Sequence, residues 1–114
     1  MGAEEGIMRT VPNELLEEMT RRLVEELRPE RIILFGSHAW GLPQDDSDVD
    51  LFVIVPESTE PARVRALRAR RALRGLNVPK DVMVRTRAEV ERARRVHASL
   101  ESEVLDRGVV LYRG

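Results

Sequence analysis

Two short apolar runs, Ile32-Ile33-Leu34-Phe35 and Leu51-Phe52-Val53-Ile54-Val55, bracket a connection that opens on Gly36-Ser37 and closes on Asp48-Val49-Asp50. That stretch constrains the chain more than any other. Side chains alternate faces along a strand, so a strand over Asp48–Val55 sends both carboxylates off one face at its start. Two carboxylates a few Å apart repel one another unless a cation lies between them. An oxygen-seeking divalent ion is the natural occupant. The Gly-Ser upstream adds backbone N–H groups and a hydroxyl, which suit phosphate. Metal plus phosphate is therefore the chemistry to test along the rest of the chain.

The flanking pattern places this stretch in an α/β domain. Leu15, Leu16, Met19, Leu23 and Leu27 recur at helical spacing after Pro12, with Glu17/Arg21 and Glu18/Arg22 as i,i+4 pairs, and Pro29 stops that helix. Arg31–Phe35 reads as a buried strand. Gly36–Ser47 is a long connection with room for one helical turn after Ser37. Ser58 or Thr59 caps a helix running to about Leu76, with Pro61 in its first turn. Its apolar stripe is Ala62, Ala66, Ala69, Leu73 and Leu76, and its arginines form the wet face. Val78–Arg85 is a third strand whose only acid is Asp81. Thr86-Arg87-Ala88-Glu89 is a capping box that launches a last helix to about Asp106. Val90, Ala93, His97, Leu100 and Val104 form its core face. Gly108 ends it, and Val109–Tyr112 closes the chain as a strand. The order α-β-β-α-β-α-β implies a mixed sheet of three to four strands flanked by helices. At 114 residues the chain is expected to form one domain, with residues 1–10 as a loose end.

Composition excludes several functions. The formal net charge of −1 provides no overall pull towards nucleic acid or anionic membrane, so direct nucleic-acid binding is not expected. The absence of cysteine removes disulfides and thiolate metal sites and fits a reducing cytoplasm. No apolar run is long enough to cross a bilayer, and no signal-peptide core is present. The even balance hides one asymmetry: Arg63 to Arg74 holds six arginines and no acid.

Asp48, Asp50 and Asp81 are the only acids on expected strands, where a lone carboxylate is costly. Sharing a metal removes that cost and serves in-line phosphoryl or nucleotidyl transfer. Gly36 then allows close backbone approach to phosphates, and Ser37 donates its hydroxyl to a phosphate oxygen. Asp48 and Asp50 hold metal, while Asp81 completes the metal site and helps deprotonate the acceptor hydroxyl. Taken singly, Gly36-Ser37 reads first as a strand-to-helix turn with a serine cap, and Asp48/Asp50 equally as a solvated acidic turn. Together with Asp81 they favour the metal–nucleotide reading, which requires Asp81 on the same side of the sheet as the other two. An EF-hand reading of Asp46-x-Asp48-x-Asp50 fails because Leu51 stands where glycine is needed. A P-loop reading of Gly36 and Gly41 fails because Leu42-Pro43 replaces Lys-Ser/Thr. Trp40 reads as packing over the Gly-Ser loop or stacking on a base. His38 reads equally as a phosphate neighbour or a solvated loop residue.

Gly36-Ser37, ten intervening residues, then Asp48-Val49-Asp50 resembles the signature of the polymerase-β-like nucleotidyltransferase superfamily. Gly36-Ser37-His38-Ala39-Trp40-Gly41 and Ser47-Asp48-Val49-Asp50-Leu51 look most like its minimal nucleotidyltransferases, which are often paired with HEPN proteins as toxin and antitoxin. The resemblance implies transfer of AMP from ATP, with Mg²⁺ (two ions), to a tyrosine hydroxyl of a HEPN-type toxin. It implies Asp48, Asp50 and Asp81 as catalytic and metal residues, with Gly36, Ser37 and Ser47 against the nucleotide. This chain lacks the arginine that many relatives carry around His38 and Trp40. Lys80, Arg85 or an arginine of the 63–74 helix is left to meet the triphosphate. So small a chain needs a second one, heteromeric partner or homodimer mate, to complete an acceptor site. Two alternatives stay open: an antitoxin that neutralises by binding alone, and a transferase acting on a small hydroxylated molecule of the antibiotic type.

Overall fold

The computed structural model describes residues 12–40, 48–96 and 99–114, without the side chains of Ser37 and Trp40. Its elements in chain order are α1 (Asn13–Leu27), β1 (Arg31–Phe35), α2 (Ser37–Trp40), β2 (Val49–Val55), α3 (Ala62–Ala72), β3 (Lys80–Thr86), α4 (Arg87–Arg94), α5 (Leu100–Arg107) and β4 (Val109–Arg113). The four strands form one mixed sheet in the order β3-β2-β1-β4. β2 and β3 run parallel across the α3 crossover, and β1 is antiparallel to both β2 and β4. The expected mixed sheet flanked by helices is thus the observed architecture.

Period-two alternation divides the apolar residues between two faces. Ile32, Leu34, Val49, Leu51, Val53, Val55, Val82 and Val84 point to one side, where Met19 and Leu23 of α1 and Ala69 and Leu73 of the α3 region cover them. Ile33, Phe35, Phe52 and Ile54 point to the other, against Val90 of α4 and Val104 of α5. Phe35 and Phe52 meet edge to face there, 6.2 Å between ring centres. Helices on both faces explain why β2 reads as an almost unbroken apolar run. No helix among the described residues is long and apolar enough to cross a membrane.

Several expected boundaries move. α3 starts at Ala62, not at Ser58 or Thr59, because Pro61 is extended (φ −61°, ψ 154°) and precedes the helix. The Ser58 hydroxyl instead accepts the Glu60 N–H at 3.0 Å in the preceding loop. The long terminal helix is two helices. Ser99 starts the second by accepting the Ser102 N–H at 3.1 Å, so the chain turns between α4 and α5. Leu100, expected in the core, is 39% exposed as a result, and His97 lies outside the described residues. The third strand is Lys80–Thr86 rather than Val78–Arg85. On α1, Arg21 pairs with Glu18 and Glu25 rather than with Glu17.

The largest departure is Arg65. Assigned by its type to the wet face, it is only 4% exposed and occupies the stripe with Ala69 and Leu73. Its guanidinium donates to both carboxylate oxygens of Glu89 at 3.0 Å and to the Val84 carbonyl at 3.2 Å. β3 is an edge strand, so that last bond covers an outward-facing backbone acceptor. Glu89 simultaneously closes the expected capping box, accepting the Thr86 N–H at 2.9 Å while Thr86 Oγ1 accepts the Glu89 N–H at 3.1 Å. The Arg65 guanidinium chiefly, with the Thr86 backbone bond, lowers the Glu89 carboxyl to about 2. One bidentate pair thus ties α3, β3 and α4 together.

Removing one partner of such a pair leaves a buried charge uncompensated. Glu89→Ala is expected to lower unfolding free energy by about 3 kcal/mol in urea titrations, whereas Arg68→Ala on the exposed α3 pairs costs under about 1 kcal/mol. The Glu89 contribution is present above its ordinary carboxylate range. It is lost as pH falls towards 2, so the wild-type and Glu89→Ala unfolding curves should converge in acid.

Candidate active site

The site lies where β1 ends and β2 and β3 begin. Pairing of β1 with β2 sets Phe35 opposite Asp50, which brings the next residue, Gly36, against the Asp50 side chain. Gly36 has φ +79°, a conformation that favours glycine, and a β-carbon there would overlap Asp50 Oδ2. Glycine is therefore required twice, by the backbone and by the carboxylate packed on it. The chain turns at once into α2, whose Ala39 N–H donates to the Gly36 carbonyl at 3.0 Å.

The parallel register of β2 and β3 sets Asp50 directly beside Asp81. Residues paired in this way share a face, so Asp81 lies on the same side of the sheet as Asp50, as the sequence reading requires. Asp48 immediately precedes β2 and is exposed, as is Asp81, while Asp50 is partly covered. The Val49 N–H donates to the Pro79 carbonyl at 2.9 Å, which pins the start of β2 to the segment leading into β3. Burial chiefly, then the charges of Asp81 and Asp48, push the Asp50 carboxyl above the ordinary carboxylate range, and His38 partly offsets them. Asp50 is thus the pivot of an acidic cluster under electrostatic strain.

Oxygen donors of this kind suit Mg²⁺, and the raised Asp50 carboxyl marks a place where bound cationic charge would relieve repulsion. Asp48 and Asp50, with Asp81 beside them, are the groups that would hold it. Among the described residues no three acids or histidines are already drawn together tightly enough to hold a metal ion.

Lys80 and Arg85, two of the groups left to meet the triphosphate, are engaged elsewhere. Lys80 points to the face opposite Asp81 and donates from Nζ to the Leu76 and Val78 carbonyls at 3.0 and 3.1 Å. Arg85 shares the Asp81 face but lies roughly 13 Å further along the strand, 3.7 Å from Glu101. His38, two residues beyond Gly36 on the helical turn, lies close enough for its charge, when it carries one, to favour ionised Asp50. Its spacing from Gly36 was the available signal. The Ser37 and Trp40 side chains and all of Ser47 lie outside the described residues.

The chain belongs to the nucleotidyltransferase-domain family, whose pattern it matches over residues 14–111. A crystal structure of a presumed nucleotidyltransferase from Sulfolobus solfataricus shares the fold, with TM-score 0.66 and 21% identity over 99% of this chain and 88% of that one. No curated protein matches the sequence.

Gly36→Ala should destabilise by about 1–3 kcal/mol from the left-handed backbone alone. Asp50→Ala should recover part of that loss in a double-mutant cycle, because the overlap is with its carboxylate. Asp50 has the opposite pH sign to Glu89. Its carboxyl is raised in the fold, so its ionisation destabilises the fold as pH rises from below 4 to neutrality. In EDTA, Asp50→Asn should melt higher than wild type at pH 7, and the difference should shrink in acid.

Proposed function

We propose that this protein transfers AMP from ATP, with Mg²⁺, to a protein hydroxyl, and that the acceptor is a tyrosine of a HEPN-type toxin it silences as an antitoxin. The observation that carries the transferase part is the side-by-side placement of Asp50 and Asp81, with Gly36 packed on the Asp50 carboxylate. The nucleotidyltransferase-domain family supports the reaction class. The resemblance of Gly36-Ser37 and Ser47-Asp48-Val49-Asp50 to minimal nucleotidyltransferases supports the toxin acceptor.

In this reaction the acceptor hydroxyl oxygen bonds to the α-phosphorus, the bond from that phosphorus to the β-bridging oxygen breaks, and pyrophosphate leaves. The hydroxyl proton passes to Asp81, which is exposed and reachable by an incoming side chain. Mg²⁺ bound by Asp48 and Asp50 would supply neutralisation of the triphosphate charge. Gly36 makes room for the Asp50 carboxylate where strand and turn meet, and α2 begins at the next residue. Asp48 and Asp81 are exposed, which suits an acceptor large enough to exclude water itself.

Incubation with ATP, Mg²⁺ and the HEPN partner, followed by intact-mass measurement, should reveal one or more AMP increments on the partner. Asp50→Asn or Asp81→Asn should reduce the rate by at least about 10²-fold. Neutralisation that persists in these variants without any mass change would replace this reading with binding alone. Transfer to a small hydroxylated molecule but not to the partner would replace the acceptor.

A further inference from the structure

A second feature lies across the sheet end from the carboxylates and has the opposite charge. Between the C-terminal half of α3 and the segment entering β3 lies an open cleft of about 570 Å³. Arg70, Arg71 and Arg74 contribute its charge, and Leu67, Val78 and Pro79 its apolar surface. Among the described residues, none that lines it is acidic. Of the six arginines between positions 63 and 74, Arg65 and Arg68 are engaged by Glu89, Glu26 and Glu60. Arg70, Arg71 and Arg74 are exposed, and among the described residues their guanidinium groups have no carboxylate partner.

A helix C-terminus favours cations, and this is the ordinary explanation for Arg70 and Arg71 in the last turn of α3. It is too small for the charge present. The helix end offers about half an elementary negative charge, against three guanidinium groups and the nearby Lys80 ammonium. Lys80 also already donates to the Leu76 and Val78 carbonyls that follow the helix. The excess is therefore surface charge without an internal counterpart.

We propose that this cleft seats an acidic, partly apolar segment of the acceptor protein and so determines which hydroxyl reaches Asp50 and Asp81. The proposal rests on the transferase reading above and names its recognition surface. Charge complementarity selects a polyanion. The lining then favours a peptide over a nucleic acid, because its described residues provide aliphatic surface and no aromatic ring on which a base could stack. Position supplies the link to chemistry. Lys80 lines the cleft and Asp81 is the next residue, while the Pro79 carbonyl holds the N–H of Val49, which lies between Asp48 and Asp50. An extended segment advancing roughly 3.3 Å per residue crosses from the cleft over the sheet end to the carboxylates within a few residues.

The test is fluorescence anisotropy with a short labelled peptide of alternating glutamate and leucine, its lysine–leucine counterpart, and a labelled oligouridylate. Wild type should bind the glutamate peptide with an affinity that falls as salt rises, and should ignore the lysine peptide. Arg70→Glu/Arg74→Glu should weaken glutamate-peptide binding at least tenfold while circular dichroism shows the protein still folded at the assay temperature. Arg63→Glu, a reversal on the same helix outside the cleft, should bind as wild type does. Asp50→Asn should also bind normally while transferring no AMP, which separates failure of recognition from failure of the transferase reading. Equal binding by wild type and the double reversal, or no binding by wild type, overturns the proposal. Tighter binding of the oligouridylate, lost in the double reversal, overturns it in favour of nucleic acid.

Discussion

The packing of the Asp50 carboxylate against the bare backbone of Gly36 is the constraint on which the site depends. It needs three things at once: a glycine in the left-handed region, β1 and β2 paired so that Phe35 faces Asp50, and a parallel β3 that delivers Asp81 alongside. A one-residue slip of β3 would send Asp81 to the opposite face, among the side chains beneath α1 and α3. The cluster is unfavourable to the fold, since burial and two neighbouring carboxylates all act against ionised Asp50. Sites that hold a reacting cationic complex commonly carry this kind of local penalty, which the rest of the structure offsets.

That offset comes from the sheet's two covered faces and from the way its β3 edge is held. β2 is buried along nearly its whole length and is flanked by β1 and β3. β3 lies at one edge of the sheet, with a neighbouring strand on one side only. Arg65 meets this weakness from α3, bonding the Val84 carbonyl and clamping Glu89 at the start of α4. The pair is remote from the carboxylates in sequence, yet it acts on the strand that carries Asp81. Stability at one end of β3 thus maintains register at the other.

Charge is sorted by the sheet as well. Asp50 and Asp81 emerge on the α4 and α5 side, whereas the arginine cleft opens on the α3 side. The two meet at the sheet end, where Lys80 and Asp81 are consecutive residues pointing to opposite faces. A net charge of −1 conceals this arrangement completely, because the acidic and basic groups cancel in the sum while remaining apart in space. Alternation along a strand is enough to keep opposite charges from neutralising each other.

Much of this was legible in the chain itself. Apolar runs ended by glycine and proline located β1 and β2. The Thr86–Glu89 capping box located α4, and the spacing from Gly36-Ser37 to Asp48 and Asp50 located the site. These are local signals, carried by residues near one another in sequence. Arg65 was misassigned because residue type points an arginine to water, and only the approach of Glu89 from twenty-four positions away gives it a buried partner. The break between α4 and α5 was missed because Ser99 looks unremarkable within a helical pattern until its hydroxyl takes the Ser102 N–H. Likewise, the sequence put Asp81 on a strand, but the side of the sheet it occupies follows from the parallel register with β2, a long-range pairing with no local code. The chain alone nominated the residues to carry the chemistry; tertiary structure decided which of them meet, because register and burial are properties of strands and helices packed together.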